Sequence, residues 1–164
     1  MHRTLGLTLS LGVLAADQAT KLIARAHLTE PATLGPSLNL QLGSNTGVTF
    51  GLFAGSGELG RWLLVAGTAA VALWLMAWMW RERRLAVAAP LALIVGGALG
   101  NIVDRVRLGA VTDFIDAHIG DFHWPTFNLA DTAITVGVAW LLLTSLGRQA
   151  SATAPSSPPA KGHP

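Results

Sequence analysis

"WLLVAGTAAVALWLMAWMWRERRLAVAAPLALIVGGALGNIV", residues 62 to 103, holds two apolar runs joined by four charged residues. Trp62 to Trp80 and Leu85 to Val103 each run 19 residues without a charge, and a helix needs about 20 mostly apolar residues to cross a hydrocarbon core. The joint "RERR", residues 81 to 84, is so short that the two helices must form an antiparallel hairpin. Two more stretches of membrane length flank this pair. Leu5 to Ala24 is interrupted only by Asp17 and Lys21, and Asn128 to Gly147 only by Asp131. The expected fold is an all-α membrane protein with four transmembrane helices in a small bundle.

Composition agrees. Of 164 residues 51% are hydrophobic and 12% charged, with a mean hydropathy of +0.49, against roughly 25% charge in soluble domains. The chain has no cysteine, which excludes disulfides, thiolate nucleophiles and Cys-ligated metal sites. The pI near 9.9 reflects an excess of only two positive charges, which is no footprint for nucleic acid.

Orientation follows from the loops. With the N-terminus inside, six basic residues (Arg3, Arg81, Arg83, Arg84, Arg148, Lys161) face only Glu82, while the other side carries five basic residues and eight acids. The positive-inside rule therefore puts both termini and "RERR" in the cytoplasm. Leu5 to Ala16, behind Arg3, also has the look of a signal-peptide core, but the run continues past Ala16 to membrane length. Trp62, Trp78 and Trp80 suit interfacial anchors.

Two outer segments and a tail complete the organisation. In segment 25–61, "LNLQLG" (38–43) alternates as a half-buried strand does. With "SNTGVTFG" and the Gly-rich "AGSGELG" after it, a small sheet on the outer membrane surface is expected. In segment 104–127, "AVTDFIDAHI" reads as a strand or extended loop, and Pro125 precedes the last helix. Residues 1–149 thus form one intramembrane domain, and 150–164, rich in Pro, Ser and Ala, a disordered cytoplasmic tail.

Ionisable groups at membrane depth are expensive and are functional candidates by default. The polar residues collect in "DQATK" (17–21), "NTGVTFG" (45–51), "GGALGNIVDR" (96–105), "VTDF" (111–114) and "FNLAD" (127–131), all at the outer face. Asp17 and Lys21, four apart, can simply be an ion pair that lets a helix end reach water. Asn101, Asp104 and Arg105 share one side of the third helix, and Gly96 and Gly100 permit close helix packing. Asn128 can cap the fourth helix, with Asp131 in its first turn, where the helix dipole favours a carboxylate. A cap alone would account for Asp131, except that the topology brings Asp113 to the same surface on another segment. Two carboxylates converging in a partly dry site share a proton, so one can take a proton from water while the other gives one to a carbonyl oxygen. Asp131 is assigned the ionised role.

"DQATK", "NTGVTFG", "GGALGNIVDRVRLGAVTDF" and "FNLADTA", in this order on a chain of this length, resemble the lipoprotein signal peptidase (signal peptidase II) family. The likeness spans nearly the whole chain except the tail, with Thr49 a small departure from the family's usual Ala or Ser. It implies an aspartic endopeptidase of the bacterial inner membrane, cutting prolipoproteins just before a diacylglyceryl-modified cysteine with water as nucleophile and without cofactor or metal. It maps the catalytic pair to Asp113 and Asp131. Asn45, Asn101, Asp104, Arg105 and Asn128 match positions that hold substrate or brace the pair, Asp17 and Lys21 match the first motif, and Gly47 lies in the second. It also implies a periplasmic β-cradle and flap built from the outer segments, and partners limited to prolipoproteins and membrane lipids; we expect a monomer.

The competing class is a small proton- or cation-coupled transporter component, in which the acids and Lys21 bind ions; the clean centres of the second and third helices count against it. A structural partner subunit would leave the five polar clusters unexplained. Asp116 and Asp121 read as solvated loop charges, so Asp116→Asn is expected to be near neutral, and His118 with His123 makes a weak zinc case.

Overall fold

The computed structural model describes residues 2–47 and 57–153. Four helices, α1 (His2–His27), α2 (Gly57–Arg81), α3 (Leu85–Leu108) and α4 (Leu129–Thr153), carry strands β1 (Ala32–Gly35), β2 (Leu38–Asn45), β3 (Val111–Ile119) and β4 (Phe122–His123) at one end of the bundle. Residues 48–56, which include Thr49 and part of the expected flap, and residues 154–164 of the expected tail lie outside the described residues. The helix α4 itself continues to Thr153, three residues past the point where the tail was expected to begin.

Among the described residues, three helices are long and apolar enough to cross a membrane: α2, α3 and Leu129–Gly147 of α4. The first helix is the exception, because Thr8, Ser10, Asp17, Gln18 and Lys21 dilute its apolar run. It forms one unbroken helix through Ala16.

The bundle is built around α3, which packs on each of the other helices. Two-thirds of its span is buried (67%), against 17% for α2 and 11% for the α4 span, so α2 and α4 turn most of their surface outward. The core joins Leu75 and Met79 of α2 to Val87, Leu91, Ala92 and Val95 of α3, with Ile134 of α4 packed against it. Small residues on α3 set the helix spacing. A Cβ on Gly96 would lie 2.6 Å from the Ser10 carbonyl oxygen of α1, and one on Gly97 would press on the Ala130 carbonyl of α4. Gly97→Val is therefore expected to lower the melting temperature in detergent, at a cost of about 1–3 kcal/mol for overpacking; an unchanged melt would mean that α4 is not seated on α3 as described.

The joint between α2 and α3 is the three-residue link 82–84. One Glu82 oxygen, Oε1, accepts the backbone N–H groups of Arg83 and Arg84 and the Arg84 Nε–H. The Arg84 side chain above all holds the Glu82 carboxyl down at about 2, so the turn keeps these bonds well into acid. At the other end, Gly109 in the left-handed conformation (φ 85°) donates to the Arg105 carbonyl and ends α3.

The sheet runs β1-β2-β3-β4, each pair antiparallel. Both outer segments supply strands, as expected, and the central pair joins one segment to the other. A register shift between Leu40 and Gly43 brings Gly43 opposite Asp113 and Asn45 opposite Val111. Phe127 bridges to Ile115, which ties the entrance of α4 to the strand that carries Asp113.

Candidate active site

Asn128 organises the site from the mouth of α4. Its Oδ1 accepts the Asp131 N–H at 3.0 Å, and Asp131 Oδ2 accepts the Asn128 N–H at 3.3 Å, a reciprocal capping box. Capping is thus part of what Asp131 does. The Asn128 amide nitrogen has another use: it donates to Asp113 Oδ1 at 2.6 Å and reaches Asn101 Oδ1 at 3.3 Å. One side chain therefore touches both aspartates, Asp113 through its amide and Asp131 through the cap.

Asp113 is buried on β3 (1% exposed) and also accepts Asn45 Nδ2 on its other oxygen at 3.0 Å. Burial pushes the Asp113 carboxyl above its ordinary range; Asn45 and Asn128 pull it back, and the nearby Asp131 charge adds to the rise. Asp131 is half-buried and accepts Asn101 Nδ2 at 2.8 Å.

Behind the pair lies a fully buried ammonium. Lys21 Nζ donates to Asp17 Oδ2 at 2.9 Å, Asp104 Oδ2 at 3.3 Å and Asn101 Oδ1 at 2.9 Å, three acceptors for three N–H groups. An ammonium can only donate, so it fixes the Asn101 amide with its oxygen inward and its NH2 toward Asp131. The Asp17–Lys21 pair expected at a wetted helix end is made, but buried inside the bundle with both residues 0% exposed. Its acids brace other elements: Asp17 Oδ1 accepts the Ala130 N–H of α4 from α1, and Asp104 Oδ2 accepts the Thr112 N–H at the start of β3. Gly100 has no Cβ to block the Asp17 carboxylate.

Gly47 takes φ 87° and donates to Asn45 Oδ1, while a Cβ there would stand 3.4 Å from the Arg105 guanidinium and clash with Leu64. Among the described residues, Arg105 makes one long hydrogen bond, to the Asn101 carbonyl at 3.4 Å. The ten expected site residues thus collect at one end of the bundle, around Asn101 and Asn128.

Sequence reasoning missed several contributors. Gln18 Nε2 joins Asp17, Asp104 and the Gly100 carbonyl; its place inside "DQATK" was the available signal. Arg25 donates to Thr112 Oγ1 at 2.7 Å, and Arg61 donates to the Arg105 and Val106 carbonyls that end α3. Asp116 corrects an expectation: it is 4% exposed rather than solvated, and it bonds His123 Nδ1 and Asn39 Nδ2. The His123 hydrogen bond holds its carboxyl below the usual carboxylate range. Near-neutrality of Asp116→Asn accordingly loses its basis. Asp121 is exposed as expected.

A sequence-family model described as "Signal peptidase (SPase) II" matches residues 9–147, which takes in most of all four helices and every residue of this site. The chain belongs to the signal peptidase II family. Proteins named lipoprotein signal peptidase agree: that of Rhizorhabdus wittichii is 43% identical over 89% of this chain and 88% of its own length. That of Methylorubrum extorquens is 46% identical over 86% and 85% of the two chains, and that of Beijerinckia indica 41% identical over 98% of each. Two solved bacterial membrane enzymes share the fold with TM-scores of 0.79 and 0.78, at 26% and 28% identity, and cover 94% and 89% of this chain and 94% and 97% of their own. As a signal peptidase II relative, the protein is a protease with helices long and apolar enough to cross a membrane, and the transporter reading finds no support in these matches.

Proposed function

We propose that this signal peptidase is an intramembrane aspartic endopeptidase that cuts diacylglyceryl-modified prolipoproteins on the N-terminal side of the lipidated cysteine. The observation that carries the reading is the pair of carboxylates, Asp113 and Asp131, joined through Asn128, whose side-chain amide donates to the first and whose backbone N–H donates to the second. Asp131 takes the proton from a water molecule as that water attacks the scissile carbonyl, and Asp113, whose carboxyl burial shifts upward, donates a proton to the carbonyl oxygen. The proton returns to the departing amine, and no covalent intermediate forms. Asn45, Asn101 and Asn128 hold the two carboxyls; Arg105, Gly47, Asp17, Lys21 and Asp104 shape and brace their surroundings.

The same reading makes α1 the fourth span. Its polar Ser10, Asp17 and Lys21 are buried, while Leu11 (60%), Leu22 (63%) and Ile23 (60%) face outward, as lipid contact requires. With residues 1–149 as the membrane domain and both termini cytoplasmic, the sheet and the aspartates lie at the outer face of the inner membrane, where a lipid-anchored cysteine in the outer leaflet would present its bond. The chain acts as a monomer.

The direct test is gel-shift cleavage of a purified diacylglyceryl-modified prolipoprotein in detergent, with and without a chelator. Cleavage that survives the chelator supports the reading; absence of cleavage, or loss on chelation, sinks it. A pH profile follows from the raised Asp113 carboxyl. Activity requires the Asp113 proton, so kcat should fall as pH rises through the folded-state value of that carboxyl, which places the alkaline limb above the ordinary carboxylate range. An alkaline limb inside that range would remove Asp113 as the acid.

A further inference from the structure

The hairpin β3–β4 ends in a strand of two exposed residues, Phe122–His123, paired only at His118↔His123 and Ile119↔Phe122. So short a pairing is marginal alone. Side chains reinforce it. His123 Nδ1 lies 2.8 and 3.0 Å from the two oxygens of buried Asp116, Asn39 of β2 donates to the same carboxylate at 3.3 Å, and the His118 ring stacks on His123 at 4.8 Å. Immediately after this clamp the chain is tied back to β3 twice, by Trp124 N–H to the Ala117 carbonyl at 2.8 Å and by Phe127 to Ile115. Trp124 and Phe127 then wall a cavity of about 420 Å³ whose other sides are Asp131, Thr132, Thr135 and Val136 of α4. It opens beside a proposed catalytic carboxylate and is continuous with the outward-facing surface of α4.

We propose that Asp116 and His123 are positioning residues: their clamp holds the arm 122–127 so that Trp124 and Phe127 form the wall against which the peptide next to the scissile bond is seated. The occupant and its bond rest on the function proposed above; the clamp itself does not. Neither residue touches the reacting atoms, so the effect falls on substrate binding. The wall moves when the clamp opens, and the two carboxyls, held separately by Asn45, Asn101 and Asn128, stay in place.

The test uses the full chain in detergent micelles, with Asp116→Ala, His123→Ala, the double variant and the conservative Asp116→Asn, which keeps an acceptor for His123. Amide exchange of the peptide covering residues 122–127 is expected to quicken about tenfold or more in each alanine variant, with KM up roughly fivefold and kcat within about twofold of wild type. The effect of the double variant should fall short of the sum of the single ones, since both remove the Asp116–His123 contact, and Asp116→Asn should recover part of the KM. Unchanged exchange, or quickened exchange with an unchanged KM, overturns the proposal. If the wild type cleaves nothing, the function reading falls, and exchange alone then decides the clamp.

Discussion

Asp113→Asn and Asp131→Asn are each expected to cut turnover of a lipid-modified prolipoprotein by at least about a thousandfold, the scale of a general acid or base removed from its reaction. The two substitutions answer different objections. Asp131 closes a capping box with Asn128, so a role confined to capping must be tested against it. An asparagine there still offers an oxygen to the Asn128 N–H, and losing a cap outright costs about 1 kcal/mol. Capping alone therefore predicts a slightly lower melting temperature and near-normal cleavage, whereas a base predicts the reverse pattern. Asp113 has no helix to cap. It accepts Asn45 on one oxygen and Asn128 on the other from a buried place on β3, and asparagine keeps a carbonyl for one of those donors while it loses the exchangeable carboxyl proton. Both variants should insert and retain bound substrate. If either one cleaves within about tenfold of wild type, the two-aspartate reaction is excluded for this chain.

Periodicity and spacing encode the local features of the fold, and the features they do not encode have physical causes. The spans α2 and α3 and the hairpin between them are local features: 19 uncharged residues, a short charged joint, and 19 more. Gly96 and Gly100 were legible as packing positions because a missing Cβ matters wherever helices touch, and both lie against α1. The first helix was read as a span from length, and its polarity keeps it out of the purely apolar class; burial of Asp17 and Lys21 against α3 is a tertiary fact invisible in one helix. Asp116 shows the same limit more sharply. An aspartate between Ile115 and Ala117 near a turn reads as solvated, and only the pairing of β3 with β2 and β4 places Asn39 and His123 on it. Gln18 likewise meets Asp104 across 86 positions of sequence. Residues that bond their own segment were found; those whose partners come from another segment were found only where the family motifs included them.

Lys21→Met is expected to destabilise the protein by about 3–5 kcal/mol, the usual cost of removing one member of a buried ionic cluster. Methionine fills the space of the lysine stem, so the loss comes from Asp17 and Asp104, left facing each other without the ammonium that both accept. Arg25, 4.0 Å from Asp104 and partly exposed, is too distant to replace it. A second effect is separable from the first. Lys21 is the closer of the two donors that hold the Asn101 oxygen inward, and its loss leaves only the 3.3 Å bond from Asn128 to keep the amide NH2 on Asp131, which loosens the bond that holds the proposed base. The triple variant Lys21→Met, Asp17→Asn, Asp104→Asn distinguishes the two. It discards the uncompensated charges while keeping a carbonyl for the Ala130 and Thr112 N–H groups, so melting temperature should return toward wild type and cleavage should stay low. Recovery of both would reduce Lys21 to a stabilising residue. Wild-type melting and cleavage in Lys21→Met itself would show that the buried ammonium neither holds the bundle end together nor orients Asn101.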